Sequence, residues 1–211
     1  MDKISSIRID YHKQSLNEID AYPLPHNQFK KWFDEAVDCK VPEVNAMTLA
    51  TVDSNCFPSA RIVLLKGFEE KGLVFYTNYN SKKGFDISSN PNVALVFFWK
   101  EMERQVRIRG VVEKLSDKES DEYFNSRPFE SKIGALASPQ STIISKQELE
   151  KNFENLKGKL SGKEVVRPEH WGGYVVKPIE WEFWQGRPSR LHDRLRYSFK
   201  DSIWKMERLA P

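Results

Sequence analysis

Apolar residues recur first with the spacing of a helix and then, further along the chain, with the spacing of β-strands. The helical stripe consists of Phe29, Trp32, Phe33, Ala36 and Val37. These residues are three and four positions apart and share one face of a helix, for which Asn27 is available as the N-terminal cap. Residues 1–22 have no such periodicity. We therefore expect a flexible N-terminal arm over residues 1–22, followed by a helix that packs against a core.

Between Ala46 and Leu115 the pattern changes to runs of β-branched and aromatic residues. Five runs, at residues 46–52, 59–68, 72–78, 93–99 and 105–115, are separated by turn residues such as D-S-N and S-S-N-P. Short strands at such close spacing predict an antiparallel meander that is closed or nearly closed as a barrel.

The C-terminal half alternates between helices and strands. Two Ser-x-x-Glu segments, at Ser116 and Ser145, predict helix starts. The first helix is expected to stop near Pro128 and the second near Lys159, with a shorter helical turn over residues 131–138. Further strands are predicted around residues 173–177, 180–185, 194–199 and 203–208. The fold class is therefore mainly β with helices (α+β), and we expect residues 23–211 to form a single domain.

The composition excludes several classes of protein. Of 211 residues, 39% are hydrophobic and 30% are charged. The chain has 33 Lys and Arg residues and 30 Asp and Glu residues, so the strong basicity of a nucleic-acid-binding protein is absent. No apolar run approaches the roughly 20 residues that cross a bilayer, and the N-terminus has no signal-peptide core, so we expect a cytoplasmic protein without a membrane partner. Cys39 and Cys56 lack metal-ligand spacing, so no metal site is expected.

The segment F-W-Q-G-R-P-S-R-L-H-D-R, residues 183–194, concentrates cations and aromatic rings. Its glycine and proline end any strand or helix, so Arg190, His192 and Arg194 are expected on a loop between two strands. Cations that converge beside an aromatic plane suit a phosphorylated, planar ligand. The alternative is a solvated basic turn.

Two further segments carry pairs of cations. In R-I-V-L-L-K, the alternation of a strand puts Arg61 and Lys66 on opposite faces. The S-K-K turn at residues 81–83 follows a predicted strand and precedes a short helix expected over residues 84–89, whose free N–H groups favour an anion. Ordinary surface charges fit both segments as well, so the residue pattern leaves their role open.

Tyr123, Arg127 and Ser131 are each four residues apart. Because Pro128 is expected to break the helix, they converge from a helix end and from the turn that follows. An arginine with its aligned N–H donors suits a phosphate dianion. The alternative is a core tyrosine next to a cation at a helix C-terminus.

The chain resembles the pyridoxine (pyridoxamine) 5′-phosphate oxidase family over nearly its whole length, from about Arg8 onward. The resemblance rests on segments that occur in the family's order, namely R-I-V-L-L-K, F-Y-T-N, S-K-K-G, R-Q-V-R, Y-F-N-S-R-P, S-P-Q-S, W-G-G-Y, F-W-Q-G-R-P-S-R-L-H-D-R and the final E-R-L-A-P. It implies a flavin-binding split β-barrel that forms a homodimer, with flavin mononucleotide (FMN) at the subunit interface. It also implies oxidation of pyridoxine 5′-phosphate or pyridoxamine 5′-phosphate to pyridoxal 5′-phosphate, with hydride passing from substrate C4′ to flavin N5 and O2 reduced to H2O2.

The same resemblance implies roles for individual residues. Its FMN contacts are Arg61, Ile62, Val63, Leu64, Tyr76, Thr77, Ser81, Lys82, Lys83, Gln105, Gln140, Ser141, Trp184 and Arg194. Gln140 and Ser141 are expected to reach the FMN of the other subunit, and Lys82 stands where the family usually has Arg. Its substrate contacts are Arg8, Tyr11, Lys66, Tyr123, Arg127, Ser131, Arg190, Leu191 and His192. Arg190 and His192 are the candidate catalytic residues, and His192 serves either as a base or as an orienting hydrogen-bond donor.

Three functions are weighed. The first is the FMN-dependent oxidase that the family resemblance implies. The second is a related flavoenzyme acting on another small aromatic, such as a phenazine precursor, but a substrate without phosphate would leave Lys66 and Arg127 unpaired. The third is a flavin or pyridoxal-phosphate carrier without enzymatic activity. The sequence does not distinguish the amine from the alcohol substrate.

Overall fold

The computed structural model describes residues 4, 6, 7, 9–69 and 71–211. Its α-helices are α1 (Pro25–Asp38), α2 (Lys82–Ser89), α3 (Asp117–Ser126), α4 (Phe129–Ala137) and α5 (Lys146–Leu160). Its strands are β1 (Ala46–Val52), β2 (Pro58–Leu64), β3 (Gly67–Glu69), β4 (Gly72–Asn78), β5 (Asn92–Trp99), β6 (Arg104–Lys114), β7 (Trp171–Gln185), β8 (Asp193–Lys200) and β9 (Ile203–Arg208). Short 3-10 turns occur at Glu18–Asp20, Lys100–Met102 and Pro188–Arg190.

The strands form one sheet with the order β2-β1-β5-β6-β7-β4-β3, in which β8 adds to β7 and β9 adds to β8. The pairs β3–β4, β4–β7, β7–β8 and β8–β9 are antiparallel. This confirms an antiparallel sheet with helices. The predicted meander order is wrong, because helix α2 follows β4 and the next strand, β5, joins β1 and β6 instead of β4.

Two predicted strand boundaries are also corrected by the pairing. The run at residues 59–68 is two strands, β2 and β3, and at the break between them the N–H of Lys66 donates to the carbonyl of Val74 at 2.8 Å. The runs at 173–177 and 180–185 are one strand, β7, which pairs with β4 through residues 171–176 and with β8 through residues 180–185. Pro178 lies between the two pairings, where neither β4 nor β8 requires its missing N–H.

The chain divides into two compact units. Unit 1 comprises Met1–Leu49, Ala94–Gly110 and Pro178–Pro211, and unit 2 comprises Ala50–Val93 and Val111–Lys177. The single domain expected over residues 23–211 stays a prediction. None of the described helices is long and apolar enough to cross a membrane.

Unit 1 has an aromatic core built on the helix that the apolar stripe predicted. Phe29, Trp32 and Ala36 are buried, whereas Val37, at the edge of the stripe, is 48% exposed. The Phe29 ring lies 5.1 Å from Phe97 and 5.3 Å from Trp181, measured between centroids. The predicted cap is wrong: α1 begins two residues before Asn27, and a proline at its first position needs no N–H acceptor.

The N-terminal segment makes specific contacts in unit 1. Leu16 is buried, and its N–H donates to the carboxylate of Asp193 at 3.0 Å. Arg208 donates to Glu18 at 2.6 and 2.7 Å. Whether residues 1–22 move as an arm stays a prediction.

In unit 2, both predicted helix starts are confirmed. Ser116 and Glu119 form a complete capping box on α3, and the Ser145 side chain accepts the N–H of Glu148 at the start of α5. Helix α4 is longer than the turn expected over residues 131–138, because Pro128 ends α3 and α4 begins at the next residue. A buried cluster under these helices consists of Phe124, Ile133, Val165 and Trp171.

Candidate active site

Unit 2 contains a cavity of about 490 Å³, which we call the phosphate cavity because of the cations described below. Residues from β2, β4, α3 and α4 line it, together with the start of α2, the segment after α4 and the first residue of β7, Trp171. The sequence-predicted site residues along its wall are Ile62, Val63, Leu64, Lys66, Tyr76, Thr77, Lys83, Tyr123, Arg127, Ser131 and Gln140.

Lys83 is the buried cation of this cavity. Its Nζ donates to the hydroxyls of Thr77 at 3.1 Å and Ser81 at 3.0 Å, and to Oε1 of Gln140 at 3.3 Å. All three acceptors are neutral, and no carboxylate of the described residues forms an ion pair with Lys83. Burial, with a smaller effect of the positive charge on Arg61, lowers the pKa of Lys83 to about 8. A buried ammonium group without a counter-ion favours an anionic ligand.

The turn into α2 orients the lysine. Ser81 is the N-cap residue, and its hydroxyl accepts the N–H of Gly84 at 3.4 Å. A Cβ atom at Gly84 would lie 1.9 Å from the carbonyl oxygen of Tyr79, so only glycine allows this close approach. The helix therefore begins at Lys82, two residues before the start expected from the sequence.

Lys82 does not line the cavity. Its exposed ammonium group lies 2.6 Å from the carboxylate of Asp86 and 3.4 Å from that of Asp53. Both carboxylates hydrogen-bond to it and raise its pKa, the contact with Asp86 having the largest effect. Lys82 and Lys83 are adjacent on a helix and therefore point in directions about 100° apart, which separates their roles.

Arg61 is not among the residues that line the cavity. Its Nη1 donates to the Thr51 hydroxyl at 2.7 Å, and its Nη2 lies 3.8 Å from the carboxylate of Asp86, whose side chain is 2% exposed. Burial lowers the pKa of Arg61. Asp86 therefore neutralises part of the charge of Arg61 and Lys82, and it does not pair with Lys83.

A second cation of the cavity, Arg127, rests on a stack of aromatic rings. Tyr76 and Tyr123 stack at 3.8 Å with 15° between their planes, and Tyr76 lies 5.7 Å from the nearly parallel ring of Trp171. The guanidinium carbon of Arg127 lies 4.6 Å from the centre of the Trp171 ring. Its Nη1 is buried and finds no hydrogen-bond partner among the described residues. A buried, unsatisfied guanidinium N–H facing a cavity also favours an anion.

The predicted convergence of Tyr123, Arg127 and Ser131 agrees with this arrangement. Tyr123 lies in α3, Arg127 is the residue that ends α3, and Ser131 lies in the first turn of α4. All three line the phosphate cavity, and Lys66, just after β2, joins them.

Gln140 lies in the same cavity as Lys83 of the same chain. Its Oε1 is 3.4 Å from the Thr77 hydroxyl as well as 3.3 Å from Lys83. The expectation that Gln140 and Ser141 reach the FMN of the other subunit stays a prediction. Ser141 follows with a positive φ of 73° and an exposed side chain, and it does not line the cavity.

Unit 1 contains a second cavity of about 680 Å³, the loop cavity, beside the turn between β7 and β8. Among the predicted substrate contacts, Tyr11, Arg190 and His192 line it. Leu191 is 69% exposed, and Arg8 falls outside the described residues. The loop backbone is strained, because Ser189 and Arg190 have φ values of 58° and 62° in the left-handed region.

His192 is held in one tautomer by the loop. Its Nδ1 accepts the backbone N–H of Arg187 at 3.1 Å, so the neutral imidazole carries its proton on Nε2. Burial, and then the positive charge of Arg190, lowers the pKa of His192. The ring lies 4.6 Å from Trp184. His192 is therefore arranged as a neutral hydrogen-bond donor.

Arg194 lies in β8, in agreement with the strand predicted around residues 194–199, and not on the loop that was expected to carry the cations of residues 183–194. Its Nε donates to Oε1 of Glu182 at 2.9 Å, and its Nη1 donates to the carbonyl of Ala210 at 2.7 Å. The other oxygen of Glu182 lies 3.2 Å from Arg107, so one carboxylate balances two arginines. Gln105 is half-buried on β6.

Sequence reasoning gave no role to Trp171, which lines the phosphate cavity, or to Glu103. Trp171 was noted only as part of W-G-G-Y, although it supports Arg127. Glu103, in unit 1, carries the backbone carbonyl that accepts the N–H of Gly186 at 2.7 Å. An aromatic residue at the start of a strand and close to several cations could have pointed to Trp171. No feature of the sequence around Glu103 points to its role.

Two family models match the chain. Residues 33–158 match the model described as Pyridoxamine 5′-phosphate oxidase, and residues 171–211 match the one described as Pyridoxine 5′-phosphate oxidase C-terminal dimerisation region. The chain is 53% identical over 215 residues to a pyridoxine/pyridoxamine 5′-phosphate oxidase from Salinibacter ruber, covering 100% of both chains. It is 54% identical over 209 residues to a protein of the same name from Bordetella pertussis, covering 99% of both.

Two solved structures share the fold. PhzG from Burkholderia lata, in complex with tetrahydrophenazine-1-carboxylic acid, superposes with a TM-score of 0.88 at 29% identity, over 93% of this chain and 98% of that chain. A pyridoxamine 5′-phosphate oxidase-related, FMN-binding protein from Nostoc punctiforme gives a TM-score of 0.72 at 17% identity, over 89% and 98% of the two chains. The split-barrel fold expected from the sequence is confirmed.

Proposed function

The chain belongs to the pyridoxamine 5′-phosphate oxidase family and is an oxidoreductase, and we propose that it oxidises pyridoxine 5′-phosphate or pyridoxamine 5′-phosphate to pyridoxal 5′-phosphate. FMN is the proposed cofactor, and O2 is the proposed electron acceptor, reduced to H2O2. A cytoplasmic location, as expected from the sequence, is part of the same proposal.

The observation that carries the proposal is the pair of uncompensated cations in the phosphate cavity. Lys83 is buried among neutral acceptors, and the Nη1 of Arg127 is buried without an acceptor among the described residues. Each suits one phosphate group, and the reaction brings together two, one on the cofactor and one on the substrate. The residues present therefore fit FMN together with a phosphorylated substrate.

We assign the cofactor phosphate to Lys83 and its neighbours. The ammonium group of Lys83 supplies the charge. Thr77 and Gln140 supply hydrogen-bonding groups, which lie 3.1 and 3.3 Å from that ammonium group and 3.4 Å from each other. Gln140 is thus assigned to the same chain as Lys83. Ile62 and Leu64 add apolar surface along the wall. The free N–H groups at the start of α2 favour the same anion.

We assign the substrate phosphate to Lys66, Tyr123, Arg127 and Ser131. The guanidinium group of Arg127 presents donors in a fixed plane, and the exposed Lys66, which also lines the cavity, adds a point charge. Together these groups distinguish a phosphorylated vitamer from its free alcohol, because removal of the phosphate would leave both cations unpaired.

The residues of the loop cavity are proposed to orient the reacting end of the substrate. His192 donates from Nε2, Arg190 adds a positive charge, and Tyr11 excludes water from their side. When bound, FMN would supply the two-electron chemistry, taking hydride from substrate C4′ at its N5 and passing the electrons to O2. Trp184, Gln105 and Arg194 are the unit 1 residues proposed to contact it.

The protein is further proposed to act as a homodimer whose FMN sites lie at the subunit interface. The match of residues 171–211 to a dimerisation-region model supports this assembly. In such a dimer each site combines side chains from both chains.

Peroxide formation by the purified protein tests the proposed function. We expect flavin absorbance, H2O2 with at least one phosphorylated vitamer, and a value of kcat/KM at least about a hundredfold lower with unphosphorylated pyridoxine, since two charge-assisted contacts are lost. A yellow protein that releases no peroxide would instead be a carrier. Equal activity with and without the phosphate, or turnover only of a phenazine precursor, would refute the substrate assignment.

A further inference from the structure

Glu103 is a buried acidic residue in a strained backbone conformation. It follows the 3-10 turn at Lys100–Met102, adopts φ 55° and ψ 39°, and is 7% exposed. Its Oε2 accepts the backbone N–H groups of His12 at 2.9 Å and Lys13 at 3.0 Å. The carboxylate therefore binds two consecutive amides of the N-terminal segment, far away in the sequence.

The backbone of the same residue binds the start of the loop that carries His192. The Glu103 carbonyl accepts the N–H of Gly186 at 2.7 Å and the side-chain amide of Gln185 at 3.2 Å. Glu103 thus connects two segments of unit 1 through different groups, the N-terminal segment by its side chain and the loop by its main chain.

Tyr11 is the residue whose position these bonds determine. It precedes His12, and its ring lies 5.6 Å from Trp184 at 90° and 5.9 Å from His192. The fit is close, because a Cβ atom on Gly186 would lie 2.7 Å from Cγ of Tyr11. Tyr11 and His192 line the loop cavity together.

We propose that Glu103 is a positioning residue, which holds the backbone at His12 and Lys13 so that Tyr11 closes the loop cavity over the substrate. The inference rests on the proposed function and adds to it a residue that touches neither substrate nor cofactor. Hydrogen bonds to an ionised acceptor are stronger than those to a neutral one, so a carboxylate suits the task better than an amide. A single oxygen that accepts two N–H groups also fixes their relative orientation.

Hydrogen exchange of the amides at His12 and Lys13 tests directly whether Glu103 holds this backbone. In the wild-type holoenzyme we expect both amides to exchange at least about tenfold more slowly than the unfolded-chain rate. Glu103→Gln should remove most of that protection. Glu101→Gln is the matched control, since its exposed side chain lies on the same turn and only its backbone carbonyl contacts Lys13. Unprotected wild-type amides, or unchanged protection in Glu103→Gln, would overturn the proposal.

Steady-state kinetics test the link to the substrate. Glu103→Gln should raise KM for the phosphorylated vitamer about five- to thirtyfold, while kcat and FMN affinity change less than about threefold. Should that variant fold poorly, Glu103→Asn keeps a residue that tolerates the left-handed turn but is too short to reach the amides. Loss of FMN affinity with KM unchanged would refute the role. A wild-type protein that oxidises neither vitamer would refute the proposed function. The exchange rates would still show whether Glu103 holds the backbone of the N-terminal segment.

Discussion

The Nζ atom of Lys83 lies 3.3 Å from Oε1 of Gln140 within one chain. A phosphate that binds Lys83 therefore lies beside Gln140 of that chain, whatever a second subunit contributes. The proposed cofactor contacts fall into two groups according to the compact unit that holds them. Thr77, Lys83 and Gln140 belong to unit 2 of one chain, and Gln105, Trp184 and Arg194 belong to unit 1.

Mixed dimers should reveal how these groups are divided between chains. Lys83→Ala and Arg194→Ala are each expected to retain little FMN. If the two residues serve a given site from different subunits, co-expression gives mixed dimers with one doubly damaged site and one intact site. With random pairing half of the dimers are mixed, so about a quarter of the wild-type FMN sites should return.

The matched control combines Lys83→Ala with Gln140→Ala. Because both residues line one cavity of the same chain, every site in a mixed dimer keeps one lesion, and no FMN binding should return. Recovery in this control would show that Gln140 serves the partner's site after all. Absence of recovery in both experiments would place the whole site in a single chain.

Binding of FMN to the apo-protein should weaken as the pH rises through about 8. Lys83 binds a phosphate in its protonated form, and burial lowers its pKa to about 8 in the free protein. A bound anion favours the proton and raises that pKa, so the affinity falls roughly tenfold between about pH 7 and about pH 9. Quenching of FMN fluorescence on titration with apo-protein measures this slope.

Two variants test the assignment of the pH dependence. Lys83→Arg keeps its charge throughout this range, so the affinity should no longer change with pH. Lys82→Ala should leave both the affinity and its slope within about threefold of wild type, because Lys82 is exposed and already paired with Asp86 and Asp53. A flat pH profile in the wild-type protein would show that Lys83 does not meet the phosphate.

Much of the local structure followed from the sequence because its causes are local. The stripe of Phe29, Trp32 and Ala36 and the cap of Ser116 with Glu119 depend on residues within two helical turns. The strand order did not follow, because the pairing of β4 with β7 joins segments far apart in the chain. A hydrophobic run also does not reveal where a strand changes its partner, as β7 does near Pro178.

The candidate site shows the same limit. Arg127 and Ser131 were expected to converge, because they are four residues apart and the helix was expected to break between them. Sequence alone did not separate Lys82 from Lys83, because which of two adjacent lysines is buried depends on how the helix packs. Nor did it reveal Glu103, whose two amide partners precede it by about ninety residues.

Trp171 should contribute to substrate affinity through Arg127. The guanidinium carbon lies 4.6 Å from the tryptophan ring centre, and such cation–π contacts are worth about 0.5 kcal/mol when exposed and about 2 kcal/mol when desolvated. Trp171→Leu should therefore lower kcat/KM for the phosphorylated vitamer about three- to thirtyfold, and Trp171→Phe should lower it less. In an Arg127→Ala background the same Trp171→Leu change should have little further effect.

Unphosphorylated pyridoxine is the control substrate for this cycle. Its low kcat/KM should be the same in Trp171→Leu and wild type, because it has no phosphate for Arg127 to bind. Additive losses in the double variant would mean that Trp171 acts through general packing of the Phe124 cluster and not through Arg127.

His192 should act as a hydrogen-bond donor and not as a general base. Its Nδ1 accepts the N–H of Arg187, and burial together with Arg190 lowers its pKa, so at neutral pH it presents a neutral Nε2–H to the loop cavity. His192→Gln places an amide donor in a similar position, so we expect kcat/KM to fall less than about tenfold, whereas loss of a base costs about 10²–10⁴. His192→Ala should lose more, since the donor is gone.

Because a lowered pKa keeps the histidine neutral above its ordinary titration range, the profiles of kcat/KM against pH for wild type and His192→Gln should coincide above about pH 7. A hundredfold loss in His192→Gln, or disappearance of an acid-side inflection below about pH 6.5, would identify His192 as the base.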